Sequence, residues 1–586
     1  MVKEELLVRK SKAQCGEIIC ETLQKCGIDT VFGLPGTQNI DFFDSLRVSG
    51  IRTILTTNET AASFMANGYY RASGKPALVV SIPGPGFAFA MPGIAEARED
   101  SVALIHLVVS AEETPGKSYK LQDIDIKSIC SPVVKLYTKV ENANDTYSSV
   151  IKSFTTAVSG EPGPVVIEVD RKIIKAVAEY PSPRRLKLDV YSEPDADRID
   201  KLADLVAKSG PMMFLVGQGA FEAARYLKLL AEHLNAPIVP TCSGRGILPD
   251  DHPLMIDADY SIAGIDIINE MASKSDLTIA VGCKFSHNGT CGFKLELPRD
   301  RLVHVDASSE VLATGNYHNR LAIQADSKAS LKALWNRRNV FSSKSTGFNI
   351  DDIAVLKKRA SRARREAVQY EPSLEHLKGM GLKDLFQSIN RRLTGRSIIV
   401  TDTGLHQTIV RAYCFVNRPR GLIVPSDFQS MGYGISSAIG AKLADPNADV
   451  IAFTGDGSLM LTGMELTTAL REGIDLSIVL FRDGSLGSIR HQQIERYGQE
   501  VATELRNPDY AQYARSLGVH YFELKDPVEP VIEGFFSSRG VKILDVPLLD
   551  SPELETLREK SLRREKLSQL PLTGVARKIN KWIKRK

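Results

Sequence analysis

Along the chain, short runs of aliphatic and β-branched residues alternate with longer segments in which apolar and polar positions mix at helical spacing. Runs apolar at nearly every position are how strands buried on both faces of a parallel sheet read. In a first block such runs fall at Ala77–Ile82, Leu104–Val109 and Val165–Val169, with a helix-like segment at Glu59–Ala72. Pro181, Pro183 and the polar run to Arg198 read as a linker. A second block has strands at Met213–Val216, Leu277–Val281 and Leu302–Val305. The stretch after about Ser342 is rich in Ser, Lys and Arg and reads as a second linker and a solvated helix. A third block has strands at Ile398–Thr401, Val450–Phe453, Ile478–Phe481 and Lys542–Val546. This grammar predicts an α/β fold of three doubly wound parallel-sheet domains, over residues 10–180, 190–340 and 375–556. Residues 557–586 read as a charged tail, helical or frayed.

Composition changes this picture little. The 586 residues are 43% hydrophobic and 25% charged, ordinary for a globular protein. No apolar run approaches the ~20 residues of a membrane span. Met1–Ser11 alternates charged and aliphatic residues and lacks the pattern of a signal peptide, so a cytoplasmic location is expected. None of the eight cysteines forms a Cys-x-x-Cys pair or clusters with histidine, which argues against a zinc site and a disulfide framework. Charge is uneven. Residues 557–586 carry eleven Lys/Arg and two Glu, which leaves −5 on the rest of a chain whose net charge is +4. The body is therefore not expected to bind nucleic acid.

The most informative segment is in the third block. Strand Val450–Phe453 runs into Thr454-Gly455-Asp456-Gly457-Ser458 and then a helix-like stretch through Leu470. The next strand, Leu476–Phe481, ends in Arg482-Asp483-Gly484-Ser485. Parallel sheets bind ligands at the carboxyl ends of their strands. Asp456 and Asp483 sit at two such ends, and the 27 residues between them fit one strand–helix–strand unit. Two carboxylates plus a loop oxygen near Ser485 are hard ligands suited to Mg²⁺. The glycines permit close backbone approach, and the helix start after Gly457 favours an anionic phosphate group. Arg482 is expected to offset part of the Asp483 charge. Read alone, Gly-Asp-Gly is also an ordinary strand-to-helix turn.

The segment resembles the thiamine diphosphate signature, Gly-Asp-Gly followed by 25–30 residues ending in Asn-Asn, with Arg482 and Asp483 replacing the asparagines. Further parts of that pattern recur in order from about Gly16 to Leu548. Val31-Phe32-Gly33-Leu34-Pro35-Gly36 resembles an opening strand and turn. Thr57-Asn58-Glu59 matches the segment carrying the catalytic glutamate, and Gly84-Pro85-Gly86 the next turn. Thr403-Gly404-Leu405-His406-Gln407 resembles the diphosphate-binding turn, and Gln429-Ser430-Met431-Gly432-Tyr433-Gly434 the segment that grips the pyrimidine. The chain is thus similar to thiamine diphosphate-dependent enzymes of the acetolactate synthase large subunit/pyruvate oxidase-like family, whose domains are pyrimidine-binding, central and diphosphate-binding.

The resemblance implies roles. Glu59, a carboxyl group expected at a strand end, would hydrogen-bond the aminopyrimidine N1′ and promote its imino tautomer. Thr403, Gly404, Leu405, His406, Gly455, Gly457, Ser458 and Gly487 would hold the cofactor, with the Gln429 carbonyl on the 4′-amino group and Met431 as the wedge between the rings. Asp456, Asp483 and Ser485 would bind Mg²⁺. The implied chemistry is carbanion/enamine chemistry on a 2-oxo acid, with an acetolactate synthase-like carboligase as the first reading, using a carbonyl acceptor. A non-oxidative 2-oxo acid decarboxylase or C–C lyase, and a non-catalytic relative, are the alternatives.

Substrate-facing positions depart from acetolactate synthases: Pro35-Gly36-Thr37-Gln38 for Pro-Gly-Gly-Ala, Gln492 for a tryptophan, and Gly84-Pro85-Gly86-Phe87-Ala88-Phe89 for Gly-Pro-Gly-Ala-Thr-Asn. The histidine pair of pyruvate decarboxylases is missing around Ser110-Ala111-Glu112. Candidate substrate contacts are Thr37, Gln38, Gln122, Arg490, His491 and Gln492, with His491 otherwise a surface helix residue. In the central domain Gly217-Gln218-Gly219 lacks a third glycine, Glu222 standing in its place, and Lys284-Phe285-Ser286-His287-Asn288 replaces the Arg-Phe-Asp-Asp-Arg of FAD-binding relatives. FAD is therefore not favoured, and a Rossmann-like spacer is the preferred reading. In the family Glu59 and the diphosphate site belong to different subunits, which implies a homodimer or homotetramer. Ile579, Trp582 and Ile583 stand at helical spacing in the tail, which reads as solvated.

Overall fold

The computed structural model describes residues 10–568, apart from 112–116, 119–120, 183–185, 187–191, 259–261, 342–346, 375–376 and 378–379. Glu112, Pro183, the start of the second linker and the end of the tail with Ile579, Trp582 and Ile583 lie outside the described residues.

Three all-parallel sheets form the three domains. The first orders its strands Arg52–Leu55, Thr30–Gly33, Ala77–Ser81, Leu104–Ser110, Val165–Asp170, Leu136–Val140. The third orders Leu422–Ile423, Ser397–Thr401, Asp449–Gly455, Leu476–Arg482, Val541–Pro547, His520–Glu523. Numbered within each domain, both read 2-1-3-4-6-5, so the same topology recurs at the two ends of the chain. The five-stranded central sheet orders Ile238–Pro240, Met212–Val216, Leu277–Val281, Leu302–Asp306, Asn319–Gln324. In each sheet the order reverses between strands 1 and 3, opening the crevice in which doubly wound sheets take ligands. A two-stranded antiparallel ribbon, Lys10–Gln14 with Val177–Pro181, adjoins the first domain.

The central strands are buried at nearly every residue, Leu476–Arg482 and Val165–Asp170 among them, because helices cover both faces. Helix Glu59–Ser73 starts where the Asn58 side chain accepts from the Ala61 N–H at 2.8 Å and stops at Gly74, whose φ is 74°. Helix Tyr433–Ala444 is buried on nearly all sides. These two helices join the first and third domains. A Cβ on Gly68 would lie 2.0 Å from the Ser437 carbonyl oxygen, and one on Gly440 would lie 1.9 Å from that of Met65. Only hydrogen fits at either place, so the backbones touch, and one apolar core runs from Phe32 and Phe64 through Tyr433 to Ile478. Beside it Arg71, buried, pairs with Asp100 at 2.7 Å and also donates to the Val424 carbonyl.

Helix Ile350–Glu366 corrects an expectation. It is not simply solvated, because Ile353, Leu356, Ala360 and Ala363 form an apolar stripe that joins the central core. Arg364 also pairs with Asp257 at 2.7 Å. The charged tail begins as a helix, Pro552–Ser568, and Arg558 pairs with Glu500 at 2.7 Å. Among the described residues no helix is long and apolar enough to cross a membrane.

Candidate active site

Three neighbouring strand ends in the third domain build the larger part of the site. Ser397–Thr401 leads into Asp402-Thr403-Gly404, Asp449–Gly455 into Asp456-Gly457-Ser458, and Leu476–Arg482 into Asp483-Gly484-Ser485. Asp456 opens a short helix and is 2% exposed. Its Oδ1 accepts from the Gly457 N–H at 2.9 Å, and its Oδ2 from the Gly484 N–H at 2.8 Å and the Asn507 side chain at 2.6 Å. These bonds tie the second strand end to the third. Asp483 accepts from the Ser485 N–H at 3.1 Å. Burial first, and then the Asp456 charge, push Asp483 up to about 7; burial also raises Asp456. Two carboxylates that resist ionising side by side form a place where a cation relieves both desolvation and repulsion. Among the described residues no group of three or more His, Cys, Asp or Glu stands ready to hold a metal. A metal here would have to take the rest of its shell from neutral or ligand oxygens, a set suited to Mg²⁺.

The expected offset of Asp483 by Arg482 is not what the structure contains. Arg482 points to Asp545, with its Nε 3.0 Å from Oδ1 and 3.1 Å from Oδ2. Adjacent strand residues face opposite sides of the sheet, so Arg482 cannot follow Asp483 into the crevice.

The Thr403–Gln407 turn lies against the same loops. A Cβ on Gly455 would sit 2.9 Å from His406 Nδ1, and one on Gly487 would sit 3.7 Å from Leu405 and 2.1 Å from Asp483 Oδ2. Burial brings the His406 imidazole down to about 4, so the ring is neutral. Thr403 Oγ1, His406 Nε2 and Ser485 Oγ are all buried with no hydrogen-bond partner. Buried polar atoms are nearly always partnered. Three orphans around one crevice fit a polar ligand, and a diphosphate presents the oxygens that Thr403 and Ser485 can donate to.

Asp402, absent from the motifs above, organises this region. Its carboxylate accepts from the N–H groups of Gly434 at 2.6 Å, Thr403 at 2.8 Å and Gly432 at 3.0 Å, and from the Ser458 hydroxyl at 2.8 Å. Burial raises it to about 6 against those donors. Its signal in the sequence is the one that identified Asp456, an acidic residue just past a buried strand. Asn507 has no comparable signal, because nothing in Asn-Pro-Asp says that the loop returns to Asp456. Met431, 38% exposed, is not a core methionine. A Cβ on Gly457 would be 3.4 Å from its Cε, which places it over the carboxylate loop.

The other part lies in the first domain. Glu59 is not at a strand end; it is the first residue of helix Glu59–Ser73, 8% exposed. A Cβ on Gly86 would lie 2.8 Å from its Oε1, so that glycine opens the space the carboxyl group occupies. Burial raises the Glu59 pKa. Gly84, with φ 62°, packs on the backbone of Gln122 at about the closest distance a side chain would allow, and Gln122 itself has φ 60°. Gln38 is buried and Thr37 exposed on a turn fastened by Asn39, which accepts from the Gly36 N–H at 2.7 Å. Among the described residues no hydrogen bond joins Glu59, Thr37, Gln38 or Gln122 to the Asp456 and Asp483 loops.

The candidates beyond the carboxylate loop differ in exposure. His491 is buried, edge-on to Tyr370 at 6.0 Å between ring centroids, rather than on the surface. Gln492 is exposed. Arg490 is engaged by Asp550 at 2.6 Å and Glu500 at 2.5 Å. In the central domain Gly217 and Gly219 are closed off by the backbone at Gly282, where a Cβ would come within 2.0 and 2.9 Å, and Gln218 donates to the Asp100 carbonyl at 2.9 Å. These glycines serve close packing within the central domain.

Comparisons with known proteins agree with this architecture. Residues 13–129 match the N-terminal TPP binding domain of thiamine pyrophosphate enzymes, 199–334 the central domain, and 402–546 the C-terminal TPP binding domain. The chain belongs to the thiamine pyrophosphate enzyme family and is an enzyme of its acetolactate synthase-like group, of carboligase or decarboxylase type. It is 29% identical to a probable acetolactate synthase large subunit of Methanocaldococcus jannaschii, over 88% of each chain. It is also 29% identical to the acetolactate synthase large subunit of Lactococcus lactis, over 87% of this chain and 88% of that one. The probable 2-ketoarginine decarboxylase AruI of Pseudomonas aeruginosa is 28% identical, over 91% of this chain and 93% of the other.

Proposed function

We propose that this enzyme binds thiamine diphosphate through Mg²⁺ and uses it to decarboxylate a 2-oxo acid and join the remaining carbon unit to a second carbonyl compound. The observation that carries the reading is the buried Asp456–Asp483 pair beside the unpartnered Thr403, His406 and Ser485 atoms. Asp456, Asp483 and Ser485 hold the metal. The turn Thr403–His406 and the backbone at Gly455, Gly457, Ser458 and Gly487 hold the diphosphate. The Gln429 carbonyl and Met431 orient the pyrimidine and bend the cofactor. When bound, thiamine diphosphate supplies the electron sink for the carbon from which CO₂ departs. Glu59 hydrogen-bonds the pyrimidine, and burial raises its pKa, which favours the protonated form. Thr37, Gln38, Gln122, Arg490, His491 and Gln492 are the candidate positions around the substrate, with Arg490 fixed by its two carboxylates.

Glu59 works on the cofactor of a second copy of the chain, so a homodimer is the smallest active unit. Met460, Leu461 and Met464, exposed on the stretch just after Asp456, support a subunit contact there.

A second reading, a decarboxylase that releases an aldehyde, is favoured by the likeness to AruI and by the replaced pocket positions Thr37, Gln38 and Gln492. Labelled 2-oxo acids, supplied alone and with aldehyde acceptors, separate the two by mass spectrometry of the products. Coupled hydroxyketones support carboligation, whereas an aldehyde as sole product under both conditions establishes the decarboxylase.

A further inference from the structure

The segment Ser426–Met431 is gripped from two other domains. Asn288 of the central domain donates its N–H to Asp427 at 3.3 Å and its side-chain amide to the Ser426 carbonyl. From the first domain, Asp100 accepts from the Ser426 N–H at 3.3 Å and from its hydroxyl. One turn earlier, in helix Pro85–Glu99 that Asp100 caps, Glu96 accepts from the Ser430 N–H at 3.0 Å. Glu96 is 0% exposed, and its second oxygen has no partner. The segment is bent at Gln429, whose φ of 58° is a conformation that residues other than glycine seldom adopt. Such a bend persists where surrounding contacts impose it.

We propose that Glu96 is a positioning residue that holds the Gln429–Met431 segment closed for the cofactor, its carboxyl group accepting from the Ser430 N–H. This rests on the thiamine diphosphate reading of the same site. The clamp works with the carboxyl group protonated. Glu96 faces Asp100 on its own helix, with Asp427 beyond it, Arg71 from helix Glu59–Ser73 and Tyr433 from helix Tyr433–Ala444. Arg71, the one cation of this set, is already paired with Asp100. Burial, and then the Asp100 charge, push Glu96 up to about 8. Ionising it in place would bury a second anion, and the direct relief is for the segment to swing away and admit water.

Closure therefore takes up a proton. The closed-state pKa lies above that of the open, solvated carboxyl group. Closure is strongest below the ordinary carboxylate range, weakens as pH rises towards about 8, and is level beyond. One proton linked in this way changes the closing equilibrium by up to about tenfold per pH unit.

The test is calorimetric titration of thiamine diphosphate into the full chain with saturating Mg²⁺, from about pH 6 to about pH 9, with near-ultraviolet circular dichroism of the bound cofactor as a second readout. Glu96→Gln keeps an acceptor and cannot ionise. Taking the ratio of the two proteins at each pH cancels the titrating groups that are not coupled to Glu96. The affinity of the wild type is expected to fall relative to Glu96→Gln as pH rises to about 8, and the ratio then to level. Glu96→Ala strands a buried N–H and is expected to bind on the order of tenfold more weakly at every pH, with an altered dichroism signal. A constant ratio of wild type to Glu96→Gln across the range overturns the proposal, as does a folded Glu96→Ala that binds like the wild type. If the alanine variant fails to fold, as melting of the apoprotein reveals, the glutamine comparison decides. Absence of any cofactor binding by the wild type overturns the underlying reading and this one together; binding without dependence on Glu96 overturns this one alone.

Discussion

Single side chains in this protein act through what they leave vacant as much as through what they bind. The Glu59 carboxyl group has room because Gly86 has no Cβ, and Thr403, His406 and Ser485 keep polar atoms unpartnered in a buried crevice. Glu59→Gln preserves size but removes the proton-carrying group, and turnover is expected to drop by about a hundredfold or more, read in the product assay. Asp402 tests the organising role. Asp402→Ala would leave the Gly432, Gly434 and Thr403 N–H groups without their acceptor, which is expected to cost about 3 kcal/mol in urea unfolding and to weaken cofactor binding. The strand-end places of Asp456 and Asp483 were legible in the sequence, whereas Glu59 was singled out by a family pattern alone. Asn507 and Glu96 were not, because each acts on a residue tens to hundreds of positions away and sits in no motif.

Among elements, the crossing of Glu59–Ser73 with Tyr433–Ala444 sets the geometry of everything above. The same helix that begins with Glu59 carries Gly68 and Arg71, and the one that follows Met431 carries Gly440. Any side chain at Gly440 meets the Met65 carbonyl, and the backbone there cannot withdraw without parting the two domains. Gly440→Val is expected to destabilise the protein by about 3 kcal/mol, measured by chemical unfolding. Its cofactor affinity is expected to fall as well, because Glu59 begins one of the separated helices and Met431 immediately precedes the other. The buried inner strands were legible to within a residue or two, since they are apolar at nearly every position, whereas exposed edge strands such as Arg52–Leu55 and His520–Glu523 were not. Helix Ile350–Glu366 reads as solvated in the sequence because its nine charged residues conceal a narrow stripe of Ile353, Leu356, Ala360 and Ala363.

At the scale of the whole molecule, cofactor and assembly are expected to contribute to stability along with the three cores. With Mg²⁺ present, thiamine diphosphate at a hundred times its dissociation constant is expected to stabilise the fold by about 2.7 kcal/mol, seen as a raised melting temperature that a chelator reverses. If Glu59 serves a second subunit, charges on the exposed apolar stretch should dissociate the enzyme. Leu461→Asp combined with Met464→Glu is expected to yield inactive monomers in light scattering, while an unchanged oligomer with full activity would refute the shared site.

The sequence by itself determined the α/β class, the three blocks and the strand-end carboxylates. These depend on local pattern, on apolar runs and on the turn residues that follow them. Only the tertiary structure decided that Arg482 turns to Asp545, that Arg490 is held by Asp550 and Glu500, and that the central-domain glycines serve packing. It also decided that Glu96 accepts from the Ser430 N–H and Asp402 from the Gly432 N–H, on either side of Met431. The physical reason is common to all of these. Partner choice depends on which groups the folded chain brings within hydrogen-bonding distance and shields from water, and spacing along the chain records neither.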